Sequence, residues 1–477
     1  MFYIKYENSL IRGAWEAVEP STRNFSAEKY PCPRRRAILV FYRYSFVYYN
    51  IFLYTVRMLD IKFIRENKDI IKEGAKKKHI EVDIDNLLSV DEKRLEILSR
   101  VEFLRGEQNK VSVSMGGTLS PETRGQLIEE MRLVKDELKD KEEELRNTIA
   151  LWQFLMLQVP NVPDMTVPEG ESDADNQEIK AWGEKPVFDF EAKDHIELMT
   201  NLKMVDFDRG VKVHGFRGYF LLGDGARLSM AIWNYALDFF SEKGFIPILP
   251  PVIIRREIFM GTGYLPQGED DLYKTQDGDF LAGTAEVPIM GFHSDEILKA
   301  DELPKKYLGF SPCYRREAGS HSKDVKGLIR VQEFYKLEQV ILCAASHAES
   351  VKYHEEVNRN TEEFIESLGI PYHTVVNCGG DLGMGQVKKY DVELWVPKES
   401  KYREISSASY FHDFQTRRLN IRYRDEEGKT RYAHSLNCTA IPTPRILVSL
   451  VENFQQSDGT IKIPEVLHKY LGKNIIS

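Results

Sequence analysis

Arginines, carboxylates and hydroxyls recur in this sequence at the ends of extended segments, where they can meet an anion. The richest stretch is Phe310 to Glu338, FSPCYRREAGSHSKDVKGLIRVQEFYKLE. Arg315, Arg316 and Glu317 close one strand-like run, a loop of basic and small residues follows, and Arg330 to Glu338 returns as an alternating strand. Such a unit aims Arg315 at a phosphate, to which its planar guanidinium offers a bidentate fork, and leaves Phe334 on the same sheet as a stacking platform for a purine. Alone, an Arg in a hairpin is usually only a solvated charge. Three further segments add weight. Arg403-Glu404-Ile405-Ser406-Ser407-Ala408-Ser409 sets a carboxylate and a hydroxyl, Glu404 and Ser407, three residues apart at the end of a strand pattern. Both can hold a magnesium ion whose remaining ligands are nucleotide phosphates. Arg445 follows Thr439-Ala-Ile-Pro-Thr-Pro444 and opens the helical pattern ILVSLVENFQQ, while Leu281-Ala-Gly-Thr-Ala-Glu286 brings a hydroxyl and a carboxylate to a tight turn.

Positioning these groups takes a large mixed body. Strand patterns run over Phe245 to Ile254, Leu308 to Tyr314, Glu333 to Ile341, Tyr390 to Val396 and Glu404 to Ser409, and helical ones over Leu228 to Lys243 and Ala345 to Leu368. The phosphate-loop signature GxxxxGK[ST] is missing, so an α+β domain on an antiparallel sheet is preferred to a parallel nucleotide fold. Upstream, Asp83 to Leu157 is helical and heavily charged, broken at Ser114 to Ser120 and restarted by Pro121 at the first turn of a second helix. Leu127, Met131, Val134, Leu138, Lys141, Leu145, Ile149 and Trp152 recur at spacings of three and four, answered by Leu88, Leu95, Leu98, Val101 and Leu104. This is the seam of an antiparallel coiled-coil hairpin, which has little core of its own and must project from the body to touch something else. Residues 159–184, with the PNVP turn and an acidic run, read as a surface linker, and 185–477 as the chemical domain.

The chain has 477 residues and a formal net charge of -9, which excludes tiny stapled scaffolds and tail-driven nucleic-acid binders. Cys32, Cys313, Cys343, Cys378 and Cys438 are too scattered for a zinc knuckle and too few for a disulfide scaffold, so a reducing compartment is expected. Residues 1–57 differ from the rest: PCPRRR precedes an aromatic and aliphatic run from Ala37 to Val56. That run reaches membrane length, but Arg43 inside it costs about 2.5 to 3.5 kcal/mol on insertion scales and its many tyrosines favour an interface, so no stable membrane partner is expected.

Together these segments resemble the class II aminoacyl-tRNA synthetases, and most closely the seryl-tRNA synthetases of the common bacterial type. The likeness runs from Met58 to Gly472 and makes Met58 look like the usual first residue, with 1–57 an atypical extension or a misassigned start and 58–158 a tRNA-binding domain. FIPILPPV (Phe245 to Val252) looks like the first class II motif, with Pro251 at a dimer interface, Phe310 to Glu338 like the second, and Thr439 to Gln455 like the third. The phrases TAE at Thr284 to Glu286, EISS at Glu404 to Ser407 and GDLGMGQVKKYDVELWVP at Gly380 to Pro397 are similar to those of the family.

The resemblance implies a class II antiparallel sheet with flanking helices plus the helical hairpin, and a homodimeric cytoplasmic enzyme that joins L-serine to serine tRNA through a seryl-adenylate. It leaves selenocysteine tRNA open as a second acceptor. ATP and Mg2+ are the implied cofactors. Thr284, Ala285, Glu286, Glu338 and Thr439 are expected at serine, with Glu338 receiving its ammonium. Arg315, Arg316, Glu317, Val331, Phe334, Glu404, Ile405, Ser406, Ser407 and Arg445 are expected at ATP. Within that set Arg315, Arg445 and Glu404 are the catalytic group, and Glu404 with Ser407 the metal ligands. The hairpin would grip the long variable arm of the tRNA. Its 11 Lys or Arg against 16 Asp or Glu give a net of -5, so Arg100, Arg105, Lys110 and Arg124 toward the tip are expected to meet phosphates while the stem faces water. Two departures stand out: Gln332-Glu333 where the family commonly has His-Gln, and Pro442 and Pro444 where it has glycines. Two rival readings are a ligase loading a carrier protein, whose relatives lack the hairpin, and a non-catalytic tRNA-binding paralogue.

Overall fold

The computed structural model describes residues 59–116, 120–319 and 324–477, so the expectations for 1–57 lie outside the described residues. Two short helices, α1 (Ile61–Glu66) and α2 (Lys68–Lys77), lead into the hairpin of α3 (Ile84–Met115) and α4 (Pro121–Leu157). Local chemistry sets its ends: Asp83 accepts from the Asn86 N–H, and Ser120 caps a helix whose first residue is Pro121, where a missing N–H costs nothing. Of the α4 seam Leu138 is buried and the other members are half-buried, while on α3 Val101 and Leu104 are buried where the spacing puts them, Leu88 and Leu98 are half-buried, and Ile97 is buried in place of Leu95, which is 45% exposed. The row on α3 also passes through Asp91, a polar member that is fully buried and held by Arg65 at 2.5 Å and Arg94 at 2.7 Å. Asp91→Ala would leave both guanidiniums unpaired at the foot of the hairpin. We expect a loss of about 2 kcal/mol, below the range for fully buried pairs because the arginines are partly hydrated, read by chemical denaturation.

The body is built on an eight-stranded sheet. Its strands in chain order are β1 (Gln177–Trp182), β2 (Ile246–Ile248), β3 (Lys305–Tyr314), β4 (Glu333–Cys343), β5 (Tyr372–Val376), β6 (Lys388–Val396), β7 (Lys401–His412) and β8 (His434–Thr443). In space the order is β1-β5-β6-β7-β8-β4-β3-β2, antiparallel except for the edge pair β2–β3. Helices α5 (Gly223–Glu242), α6 (His347–Leu368) and α7 (Arg445–Asn453) supply the main core, where Leu228, Ile232, Phe240, Phe364 and Leu447 pack with Leu337 and Ile341 of β4. The expected strand Phe245 to Ile254 is split into Ile246–Ile248 and Ile253–Ile254, since Pro250 and Pro251 between them cannot donate to a ladder. The stretch read as a linker contains β1, which pairs with β5 at the sheet edge. Its side chains are almost all exposed, so it carries no apolar alternation and is held by its ladder and by Trp182 stacked on Tyr372.

Candidate active site

Alternation on β4 sends Tyr335 and Leu337 one way and Phe334, Lys336 and Glu338 the other. The register puts Glu338 between Gly309 of β3 and Thr439 of β8. That row is the floor of two adjoining cavities. One, of about 440 Å³, is lined by Thr284, Glu286, Glu338, Gln386, Ser407 and Asn437 among others. The second is a slot lined by Glu317, Val331, Phe334, Ile405, Pro442 and Arg445. Arg315, Lys336, Glu404 and Thr439 line both, so the cavities meet at two cations, a carboxylate and a hydroxyl.

Each group is held by partners from different elements. Thr284 Oγ1 donates to Glu338 Oε2 at 2.9 Å, and the Lys336 ammonium sits on the same carboxylate while donating to Thr439 Oγ1 at 3.2 Å. Glu286 accepts from the Tyr264 hydroxyl at 2.9 Å and from Gln415 Nε2 at 2.6 Å. Burial raises the Glu286 pKa against these donors and pushes the Tyr264 phenol well above its ordinary value. Arg315 donates to Gly283 O at 3.3 Å and lies 5.3 Å from the centre of the Phe334 ring. Arg445 spends Nε on Ile329 O and Nη1 on Glu404 O, both at 2.9 Å, and burial lowers its pKa. Glu317, at φ 56°, accepts from Arg330 at 2.8 Å. Behind Ser407 across the β6–β7 ladder lies Asp391, raised by burial to about 7.

Three expected residues are turned elsewhere. Ala285 is fully buried in the apolar layer under β3, where a Cβ added at Gly309 would meet its own at 2.7 Å, so its methyl packs rather than lines. Ser406 is spent on Thr439 O, a consequence of strand alternation that leaves Ser407 facing the cavity. Arg316 donates to Asp270 O at 2.9 Å, outside both cavities. Pro442 and Pro444 do line the slot, presenting ring carbons instead of N–H groups. Sequence reasoning missed Lys336, whose signal was its place between Phe334 and Glu338 on one strand face. It also missed Tyr264 and Gln415, which arrive from distant helices and turns with no local pattern to mark them.

Among the described residues no cluster of three His, Cys, Asp or Glu side chains could hold a metal unaided. Glu404 and Ser407 offer a carboxylate and a hydroxyl to one cavity, the donor set magnesium takes when phosphates supply the rest. On the hairpin, Arg100 and Arg105 are paired with Glu137 and Glu142 across the seam at 2.6 and 2.8 Å, and Lys110 with Glu107 at 2.6 Å. Arg124 is exposed.

Two family models match the chain: the seryl-tRNA synthetase N-terminal domain over residues 58–163 and the tRNA synthetase class II core domain (G, H, P, S and T) over 273–454. A serine–tRNA ligase of Deinococcus radiodurans is 45% identical over 416 residues, 87% of this chain and 98% of the relative. Among solved structures, the seryl-tRNA synthetase of Pyrococcus horikoshii complexed with ATP is 37% identical with a TM-score of 0.80, covering 88% of this chain and 99% of that one. The serine–tRNA ligase of Naegleria fowleri in complex with AMP is 32% identical with a TM-score of 0.77 and the same coverage.

Proposed function

The chain belongs to the seryl-tRNA synthetases, and on that premise we propose how its two cavities divide the ATP-dependent attachment of serine to tRNA. ATP takes the slot, with its base over Phe334, its backbone side along Val331 and Ile405, and its α-phosphate beside Arg315. Serine takes the larger cavity, its ammonium on Glu338 and its side chain among Thr284, Glu286 and Thr439. The observation that carries this reading is the shared lining. Arg315, Lys336, Glu404 and Thr439 border both cavities, so a carboxylate in one reaches a phosphorus in the other.

The reaction needs no protein nucleophile. One oxygen of the serine carboxylate bonds to the α-phosphorus, the bond to the bridging oxygen breaks, and pyrophosphate leaves with that electron pair. A 2′- or 3′-hydroxyl of the terminal tRNA adenosine then attacks the acyl carbon, loses its proton, and AMP departs. Two anions must approach each other, so fixed positive charge and orientation are what the protein contributes. Arg315 faces the reacting phosphate, and Arg445 closes the slot from the other side. Glu404 and Ser407 would hold a magnesium ion, which when bound neutralises phosphate charge. Selectivity comes from polar groups that alanine would leave unpaired and from walls that overlap the extra methyl of threonine.

The hairpin favours tRNA over a carrier protein as acceptor, and the intact set Arg315, Glu317, Glu338, Glu404 and Arg445 favours catalysis over silent binding. A second copy fits the exposed Ile246, Leu249 and Ile253 around Pro251, which are 57%, 79% and 60% exposed. The cytoplasm suits the free, buried Cys313, Cys343, Cys378 and Cys438, and no helix among the described residues is long and apolar enough to cross a membrane. Exchange of labelled pyrophosphate into ATP across a panel of amino acids tests the reading: serine alone should support it, and equal exchange with alanine would defeat the pocket assignment.

At the arm, exposed ion pairs contribute little, so a phosphate can replace Glu137 or Glu142 as the partner of its arginine. Replacing Arg100, Arg105, Lys110 and Arg124 together with Ala should weaken tRNA binding and reduce its salt slope by about one for each phosphate that is no longer neutralised. An unchanged slope in a salt titration would remove the tip from the interface.

A further inference from the structure

The Gly383 to Gln386 turn forms one wall of the larger cavity, opposite the β4 row. Its backbone carbonyls are met by residues from another part of the chain. Lys78, which caps the C-terminus of α2 and is 3% exposed, donates from Nζ to Gly383 O at 3.2 Å and Met384 O at 3.0 Å, with Gln386 O as its third acceptor. Asn161 donates from its backbone N–H to Met384 O at 2.9 Å, and from Nδ2 to Gly385 O at 3.1 Å and Phe411 O at 2.8 Å. All four carbonyls of the turn are therefore taken by Lys78 or Asn161. Inside the turn, Gln386 Oε1 accepts from Gly383 N–H and Gln386 Nε2 donates to Ser409 Oγ at 2.8 Å, which fixes the side chain that lines the cavity.

A turn with two glycines has few side chains of its own to define its path, so its shape depends largely on what its peptide groups bond to. A buried ammonium with three N–H donors matched to three carbonyls defines it in three directions at once. Burial pulls Lys78 down to about 7, while the three acceptors favour the protonated form. Charge with no carboxylate partner is a costly way to fill an interior, and a core built only for stability would use an apolar residue there.

We propose that Lys78 is a positioning residue for the amino-acid pocket, setting from the tRNA-binding half of the chain the wall formed by Gly383 to Gln386. The inference rests on the assignment of the larger cavity to serine. It makes the base of the arm part of the serine site without contact between Lys78 and substrate.

The test uses the full chain in serine-dependent pyrophosphate exchange, comparing Lys78→Met, Lys78→Arg and Asn161→Ala. Loss of hydrogen bonds from a charged donor should raise the serine KM of Lys78→Met by at least about tenfold, with the ATP KM within about twofold of the unaltered protein. Lys78→Arg should recover most of the serine KM. Asn161→Ala, which keeps the backbone bond to Met384, should shift the same constant in the same direction by less and remains informative if Lys78→Met does not fold. A serine KM unchanged in Lys78→Met, or in Asn161→Ala where that is the folded variant, would overturn the proposal. So would serine and ATP constants rising together in step with a lowered melting temperature. Absence of serine-dependent exchange in the unaltered protein would instead overturn the assignment of the cavity.

Discussion

Replacing Arg315 with Ala is expected to slow serine-dependent pyrophosphate exchange by about 10²- to 10³-fold, with little change in melting temperature. Arg315 is the guanidinium that lines both cavities, and it commits Nε to Gly283 O, which leaves its terminal nitrogens for a ligand. Charge builds on the α-phosphoryl oxygens as the carboxylate enters, and a fixed cation beside them is worth more in that state than in the ground state. The loss should therefore fall mainly on kcat. Arg445 is the contrast, because two of its nitrogens are spent on Ile329 O and Glu404 O, so its removal also loosens the slot and should raise the ATP KM. Arg315→Lys keeps the charge and loses the planar fork, and should recover only part of the rate. A change confined to KM in Arg315→Ala would mean that this side chain binds ATP without stabilising the transition state.

The contrast between these arginines was not legible in the sequence, although their presence in one site was. Alternation over Arg330 to Glu338 is enough to put Phe334 and Glu338 on one face of a strand, and the period of two that does so also points to Lys336. Side chains that complete the pocket from elsewhere give no such signal: Tyr264 and Gln415 reach Glu286 from 22 and 129 residues away, and only the fold brings them in. The same limit hid Lys78, one lysine in the run AKKKH, whose burial depends on a turn some 300 residues later. Strand β1 escaped for a different reason. An edge strand exposed on both faces is specified by backbone pairing, which leaves no hydrophobic pattern. On the hairpin the pattern was legible through Leu98, Val101 and Leu104 and failed at Leu95, which is exposed while Ile97 is buried; Asp91, a polar member of the buried row, gave no hydrophobic signal.

Glu338→Gln should cost about 10²- to 10³-fold in kcat/KM for serine, nearly all of it through KM, with the ATP KM little changed. Two effects add. The substrate ammonium loses its counter-charge, and it enters beside the Lys336 ammonium, which in the wild-type protein rests on the same carboxylate. Lys336 and Glu338 are 5% and 2% exposed, so the lone lysine left behind is itself uncompensated and the variant should also lose stability. Stability and binding can be separated by removing the second charge. In Glu338→Gln with Lys336→Met the stranded cation is gone, and the melting temperature should return toward that of the unaltered protein. Serine affinity should stay low, since nothing remains to neutralise its ammonium, and the rate should fall further because Lys336 borders the phosphate cavity as well. If the double variant instead regains serine affinity along with stability, Glu338 acts on serine only by holding Lys336 in place, and the ammonium must be received by another carboxylate of the cavity, Glu286 or Glu404.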